Sequence, residues 1–258
     1  MNTDRDENLM GGDKEWGRNI ITLPGSYHRE RGMKCQDQAL YRYREGKEVL
    51  LVADGSGSDD VNVICVERIL DLLADYLLDY FNDICRRDNG KCAYAILITV
   101  IRVIGEIMEN ENRKKEDLGS TLMGVCIDKV SNRFCYVHLG NGIIAYGKKD
   151  RGSTKHRVGI LSRPNDGTEM DQVILTISDC AGQALKLSSG KLKDITGFIL
   201  MTDGVYAEKW GSFNLENTFE NICKGTIRMS ETKDDQCAAA MFRKEQQCSD
   251  RKKQIISQ

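Results

Sequence analysis

The sequence predicts an α+β domain with helices packed on antiparallel sheets, and three observations carry that expectation. Two apolar runs, LLVADGSG at residues 50–57 and FILMTDG at 198–204, end abruptly at an Asp-Gly pair, as buried strands ending in a turn do. The stretch VNVICVERILDLLADYLLDYF, residues 61–81, repeats apolar residues at Ile64, Leu70, Leu73, Leu77 and Leu78 with acids between them, a helical spacing. From Gly119 onward the rhythm changes to short apolar segments punctuated by turn residues. Hairpin, two helices, many strands and a mixed end make an order that suits layered helices and sheets.

In chain order, residues 1–18 read as a polar leader and NIITLPGSYH opens the fold as a strand. QALYRYR (38–44) and EVLLVAD, joined through Glu45-Gly46-Lys47, form a hairpin. Asp59 or Asp60 caps the helix that follows. Residues 93–109 are rich in Ile and Val, but their length favours a second helix. STLMGVCID, FCYVHLG and GIIAYG are strands, with turns at Ser131-Asn132 and Asn141-Gly142. Residues 148–172 are polar and Gly-rich and read as a surface flap. QVILTIS is expected as a strand, CAGQALKLSSG as a short connecting segment, and GFILMTDG as a buried strand. NLENTFENICKG reads as a helix, QCAAAMF as a last strand, and 244–258 as a charged tail, which leaves a domain at 19–243.

Bulk properties exclude several classes. Forty per cent hydrophobic and 29% charged residues over 258 positions are enough for a sizeable core. A net charge of −2 lacks the basic excess of a nucleic-acid binder. The longest apolar run, AYAILITVI, is too short to span a bilayer, and the acidic N-terminus is no signal peptide. The ten cysteines include no Cys-x-x-Cys pair, and several lie in apolar segments; reduced, structural thiols in a cytoplasmic protein are expected.

Four acidic sites adjoin an apolar strand or a glycine: Gln36-Asp37, Asp54-Gly55, Asp203-Gly204 and Asp234-Asp235. An Asp at a strand end is costly to bury unless it is paired or binds a cation, and all-oxygen donors suit Mg²⁺ or Mn²⁺. Two such ions can share a hydroxide that attacks a phosphoryl group. The plainer alternative makes these acids turn and cap residues, since Asp and Gly both tolerate positive φ.

The order of the motifs favours the metal. SYHRERGMKCQDQA, LLVADGSGS, LGSTLMGVCID, YVHLGNGIIAYG, FILMTDGVY and DDQCAAAM together resemble, in sequence, the motifs of the metal-dependent protein phosphatases of type 2C, and the resemblance runs from about residue 20 to 242. The Ser-x-x-His opening and DGSGS place it nearer the compact bacterial branch. The resemblance implies an antiparallel β-sandwich flanked by helices, four layers in all, with two Mg²⁺ or Mn²⁺ ions at one end. It implies that Asp54 bridges the ions, that the Gly55 carbonyl joins one, that Asp203 and Asp234 hold the other, and that Asp37 completes the site directly or through water. It departs from the family in three places. Gly32 stands where an Arg often grips the substrate phosphate, so Arg31, Arg29 or Lys34 would have to reach it. Ser56 stands where eukaryotic members carry a His general acid, which leaves that role to His28 or a metal-bound water. Asn141 replaces an Asp that helps bind a third metal, so a third site is not expected.

The implied activity is hydrolysis of phosphoserine or phosphothreonine on proteins, with a phosphoprotein substrate and a cognate Ser/Thr kinase as partners, and neither nucleic acid nor membrane. A pseudophosphatase that binds phosphoproteins or a kinase, and a hydrolase of small phosphate esters, are the alternatives. His138, within a strand, is expected to pack.

Overall fold

A computed structural model describes residues 15–57, 59–86, 89–149, 156–164, 173–206, 213–229 and 231–244. In chain order the elements are β1 (Trp16–Leu23), α1 (Ser26–Glu30), β2 (Gln38–Arg44), β3 (Lys47–Ala53), α2 (Asp60–Asp79), α3 (Phe81–Ile84) and α4 (Gly90–Glu111). There follow a 3₁₀ turn (Lys115–Leu118), β4 (Leu122–Asp128), β5 (Arg133–Leu139), β6 (Ile143–Lys149), β7 (His156–Ser162), α5 (Ala181–Ala184), β8 (Lys186–Lys191) and β9 (Ile195–Met201). The series closes with α6 (Asp203–Tyr206), α7 (Leu215–Lys224) and β10 (Gln236–Arg243).

Two five-stranded antiparallel sheets face each other, ordered β1-β10-β9-β6-β7 and β2-β3-β4-β5-β8. The continuous apolar runs follow from this stacking. Side chains alternate faces along a strand, so a strand buried on both faces must be apolar at every position. Val49, Leu51 and Ala53 of β3 join the core under α2 and α4, while Leu50 and Val52 join the core between the sheets. On β9, Phe198 and Leu200 point into the inter-sheet core, and Ile199 and Met201 pack with Phe219 and Ile222 of α7. The layers therefore run helix, sheet, sheet, helix, as expected.

Local chemistry sets the boundaries. The β2–β3 hairpin turns in two residues, Glu45 and Gly46, both at positive φ (51° and 81°), the conformation a tight antiparallel connection needs. Asp59, not Asp60, caps α2: its carboxylate accepts from Val61 N at 2.9 Å and Asn62 N at 3.3 Å. Asn112 ends α4 in the left-handed conformation.

Several expectations need correction. β1 begins at Trp16, and Trp16 is buried, so the last residues assigned to the leader belong to the sheet. QVILTIS is not a strand in its described part, 173–178: Leu175 N–H donates to Ser178 Oγ at 3.0 Å and Ser178 N–H to Leu175 O at 2.9 Å. These local bonds close a turn in place of a ladder. The β-rich composition there serves packing instead, since Ile174 and Ile177 lean on the helix-side core. The segment after it carries a strand, β8, that pairs with β5. The stretch expected as a flap contains β7, paired with β6; the rest of it, 150–155 and 165–172, lies outside the described residues, as do residues 1–14 and 245–258. No helix among the described residues is long and apolar enough to cross a membrane. The nine described cysteines are free thiols.

Candidate active site

Antiparallel pairing explains how acids far apart in sequence meet. β3 ends at Ala53, opposite Gln38 where β2 begins, so Asp54 and Asp37 leave the same end of one sheet. β9 ends at Met201, and Ala238 of β10 lies opposite it, so Asp203 and the Asp234-Asp235 pair leave the same end of the other. The β5–β6 connection puts Asn141 there too, with Nδ2 donating to Asp203 Oδ2 at 2.5 Å.

Specific neighbours fix the Asp37 and Asp235 carboxylates and the Asp54 backbone. Asp37 is buried, and its Oδ2 accepts from the Thr202 hydroxyl at 2.6 Å, while Thr202 Oγ1 takes the Cys237 N–H at 2.9 Å. Asp54 N–H donates to Thr121 Oγ1 and its carbonyl accepts from Thr121 N–H, both at 2.9 Å. Asp235 is buried and takes three donors. Its Oδ1 accepts from Gly25 N–H at 2.7 Å and lies 2.9 Å from His28 Nδ1; its Oδ2 accepts from Gln36 N–H. Asp234, beside it, is exposed.

The two Asp-Gly pairs are not positive-φ turns, since neither Asp54, Gly55, Asp203 nor Gly204 has positive φ. Gly204 is needed for close approach: a Cβ there would lie 1.9 Å from the Asp235 carbonyl oxygen. The glycine lets the start of β10 close over the end of β9, which is why Asp203 and Asp234 share one site.

The carboxylates act on one another. Burial, then the Asp54 charge, holds the Asp37 carboxyl well above its usual range. Burial, then Asp203 and Asp234, pushes Asp54 up to about 7. Burial and Asp234 raise Asp203. Like charges gathered at a buried end favour a cation between them. The donor set is all oxygen, which suits Mg²⁺ or Mn²⁺. Asn141 Oδ1 is buried beside Asp203 with no hydrogen-bond partner among the described residues, an oxygen a cation would satisfy. Among the described residues no three His, Cys, Asp or Glu side chains already close around one point. By its chemistry the set fits a hard divalent ion.

The remaining predicted residues sit as follows. His28 belongs to α1 and is held by Asp235. Arg31 lies with its guanidinium 3.8 Å over the Tyr27 ring and donates to Tyr27 O at 2.9 Å. Arg29 faces Glu231 at 3.3 Å, and Lys34 faces Asp60 at 3.5 Å. Neither Arg pairs with a cluster carboxylate among the described residues. Ser56 spends its hydroxyl on Gly119 O at 3.0 Å. His138 packs, as expected, fully buried with Nδ1 2.6 Å from Ser162 Oγ. Sequence reasoning missed the part played by Thr202 and the distinct part of Asp235; the adjacent acid pair was visible, but which member turns inward was not.

A family model described as protein phosphatase 2C matches residues 24–243. The chain belongs to the protein phosphatase 2C family. The sequence comparison with curated proteins finds no match. Among solved structures, the chain is similar to RsbX in complex with magnesium (17% identity, 90% of this chain and 98% of that one, TM-score 0.54). It is also similar to the serine/threonine phosphatase of S. agalactiae (14%, 88% and 99%, TM-score 0.54) and serine-threonine phosphatase 2C from Toxoplasma gondii (12%, 90% and 96%, TM-score 0.55). At these identities the structural likeness establishes the shared fold, and the family assignment rests on the sequence match.

Proposed function

We propose that this protein is a metal-dependent phosphatase that hydrolyses phosphoserine and phosphothreonine on protein substrates in the cytoplasm. The observation that carries the reading is the convergence of Asp37, Asp54, Asp203 and Asp234 at one end of the sandwich, with the first three held above their normal protonation range by burial and by each other. Family membership and the phosphatases among its structural neighbours support it.

Two Mg²⁺ or Mn²⁺ ions would be held by Asp54, the Gly55 carbonyl, Asp203, Asp234 and Asp37, and would supply a hydroxide nucleophile and charge neutralisation at neutral pH. This chain's own residues do the rest. Thr202 and Thr121 hold Asp37 and the Asp54 backbone in place. His28, oriented through Nδ1 by Asp235, presents Nε2 as the nitrogen able to protonate the departing serine or threonine oxygen. Arg29 and Arg31, on the α1 segment, would turn from Glu231 and Tyr27 to grip the substrate phosphate. A cognate Ser/Thr kinase is the natural counterpart. The engaged state of both arginines, with Asn141 at the third-metal position, favours one second reading: a phosphoprotein-binding pseudophosphatase.

Hydrolysis of a phosphothreonine peptide and of p-nitrophenyl phosphate, with Mn²⁺ and then EDTA, separates these. Metal-dependent peptide turnover, lost in Asp203→Asn, is the expected result. Turnover of the small ester alone would point to a small-molecule hydrolase. Metal binding by calorimetry with no turnover would favour the pseudophosphatase.

A further inference from the structure

α4 carries two apolar stripes. Its inner stripe, including Ile96, Val100, Val103 and Ile107, is buried in the core it shares with α2. The second stripe faces outward: Tyr94 is 67% exposed, Ile98 46% and Ile101 57%, and the line continues through Gly105 and half-buried Met108. The positions 94, 98, 101, 105 and 108 step by four and three alternately, the spacing of a helix seam that meets another helix. A helix apolar on both sides is one that is covered on both sides. The seam itself forms one wall of an open groove of about 550 Å³ between α4 and residues 176–182, which Leu97, Ile104 and Ile177 also line.

The charges on α4 say what covers it. An α-helix favours acids in its first turn and bases in its last. α4 has neither: its first turn has no acid and its last turn no base. Exposed Lys91 sits instead at the N-terminal end, and exposed Glu109 near the C-terminal end. An antiparallel second copy of α4 corrects both ends at once. With a twofold axis between residues 99 and 100, Lys91 lies level with the partner's Met108, one residue from Glu109 on the same flank, and sits at the negative end of that helix. In the same register Tyr94 faces the partner's Gly105, where a Cβ would have nothing within 4 Å, and Ile98 faces the partner's Ile101. Bulk meets space, apolar meets apolar and base meets acid in one alignment, as a self-complementary twofold contact requires.

We propose that the outer face of α4 is a homodimer interface, an antiparallel α4–α4 seam flanked by two Lys91–Glu109 pairs. The seam lies on the helical layer over the β2–β3–β4–β5–β8 sheet, and none of the proposed catalytic residues belongs to it.

The test is sedimentation equilibrium of the full chain across about 1 to 100 μM, a range that resolves micromolar association. A dimer is expected. Ile98→Glu with Ile101→Glu is expected to weaken it by about 100-fold or more, as charges forced into an apolar contact do. These positions are exposed in the single chain, so circular dichroism and melting temperature should stay near wild type. Lys91→Glu alone and Glu109→Lys alone should each weaken association, and the two together should restore it. A monomer throughout that range, a dimer indifferent to the Ile98→Glu/Ile101→Glu change, or a charge swap that fails to restore association would each overturn the proposal.

Discussion

Asp235 and His28 are locked together across the start of the domain, with His28 Nδ1 2.9 Å from Asp235 Oδ1. The same carboxylate takes the backbone N–H groups of Gly25 and Gln36. One buried side chain at the head of β10 thus fixes the whole segment from Gly25 to Asp37, including a proposed proton donor and a proposed metal ligand.

The two residues should therefore fail differently. His28→Gln should lower kcat by roughly 100-fold, in the range that general acids contribute, with little change in melting temperature. Asp235→Ala should lower both, because three donors lose a charged acceptor at about 1–3 kcal/mol each. Steady-state kinetics on a phosphopeptide beside thermal denaturation reads both effects. An unchanged kcat in His28→Gln would make the histidine structural.

Charge removal at the carboxylate cluster should separate stability from activity. Burial and neighbouring acids disfavour the charged forms of Asp54 and Asp203. Asp54→Asn and Asp203→Asn should each stabilise the protein in EDTA by about 1–2 kcal/mol, raising the melting temperature by roughly 2–8 °C for a domain of this size. In millimolar Mn²⁺ the order should reverse, because only the wild type gains binding free energy. Scanning calorimetry in both buffers checks it.

Asn141 tunes the same balance. Its amide donates to Asp203, so Asn141→Asp replaces a hydrogen bond with a like charge. The variant should melt several degrees below wild type in EDTA, given about 1–3 kcal/mol for the lost bond and added repulsion. It should gain more from saturating Mn²⁺ than wild type does, in melting temperature and in turnover. A metal titration followed by both readouts decides it.

His138 makes a pH prediction away from the carboxylate cluster. Burial first, and then the Lys186 charge, lowers its pKa from 6.5 to about 3. A base with a depressed folded pKa binds fewer protons folded than unfolded, so its contribution to stability is present above pH 6.5 and is lost as pH falls toward 3. The loss is on the order of 1.4 kcal/mol per pH unit within that window. His138→Gln should flatten the dependence of stability on pH between 6.5 and 3, measured by urea unfolding.

Much of this was legible in the residues. Central strands buried on both faces must be apolar throughout, so β3 and β9 announced themselves, and the acids at their ends pointed to the candidate site. The hairpin at Glu45-Gly46 and a cap at Asp59 or Asp60 were legible because their chemistry is local; the structure chose Asp59. What failed was also physical. QVILTIS has the composition of a strand, but Ser178 offers its backbone a turn instead. β8 reads as a loop because LKLSSG is half polar, and it is held by pairing with β5.

The sequence by itself determined the fold class, the family and which acids stand at strand ends, because layered burial and strand-end chemistry leave marks at short range. Only the tertiary structure decided that Asp235 turns inward while Asp234 stays exposed, that Thr202 holds Asp37, and that α4 keeps a second apolar face uncovered. These depend on which side chains antiparallel pairing brings together across some 200 positions of chain, and no local pattern encodes that distance.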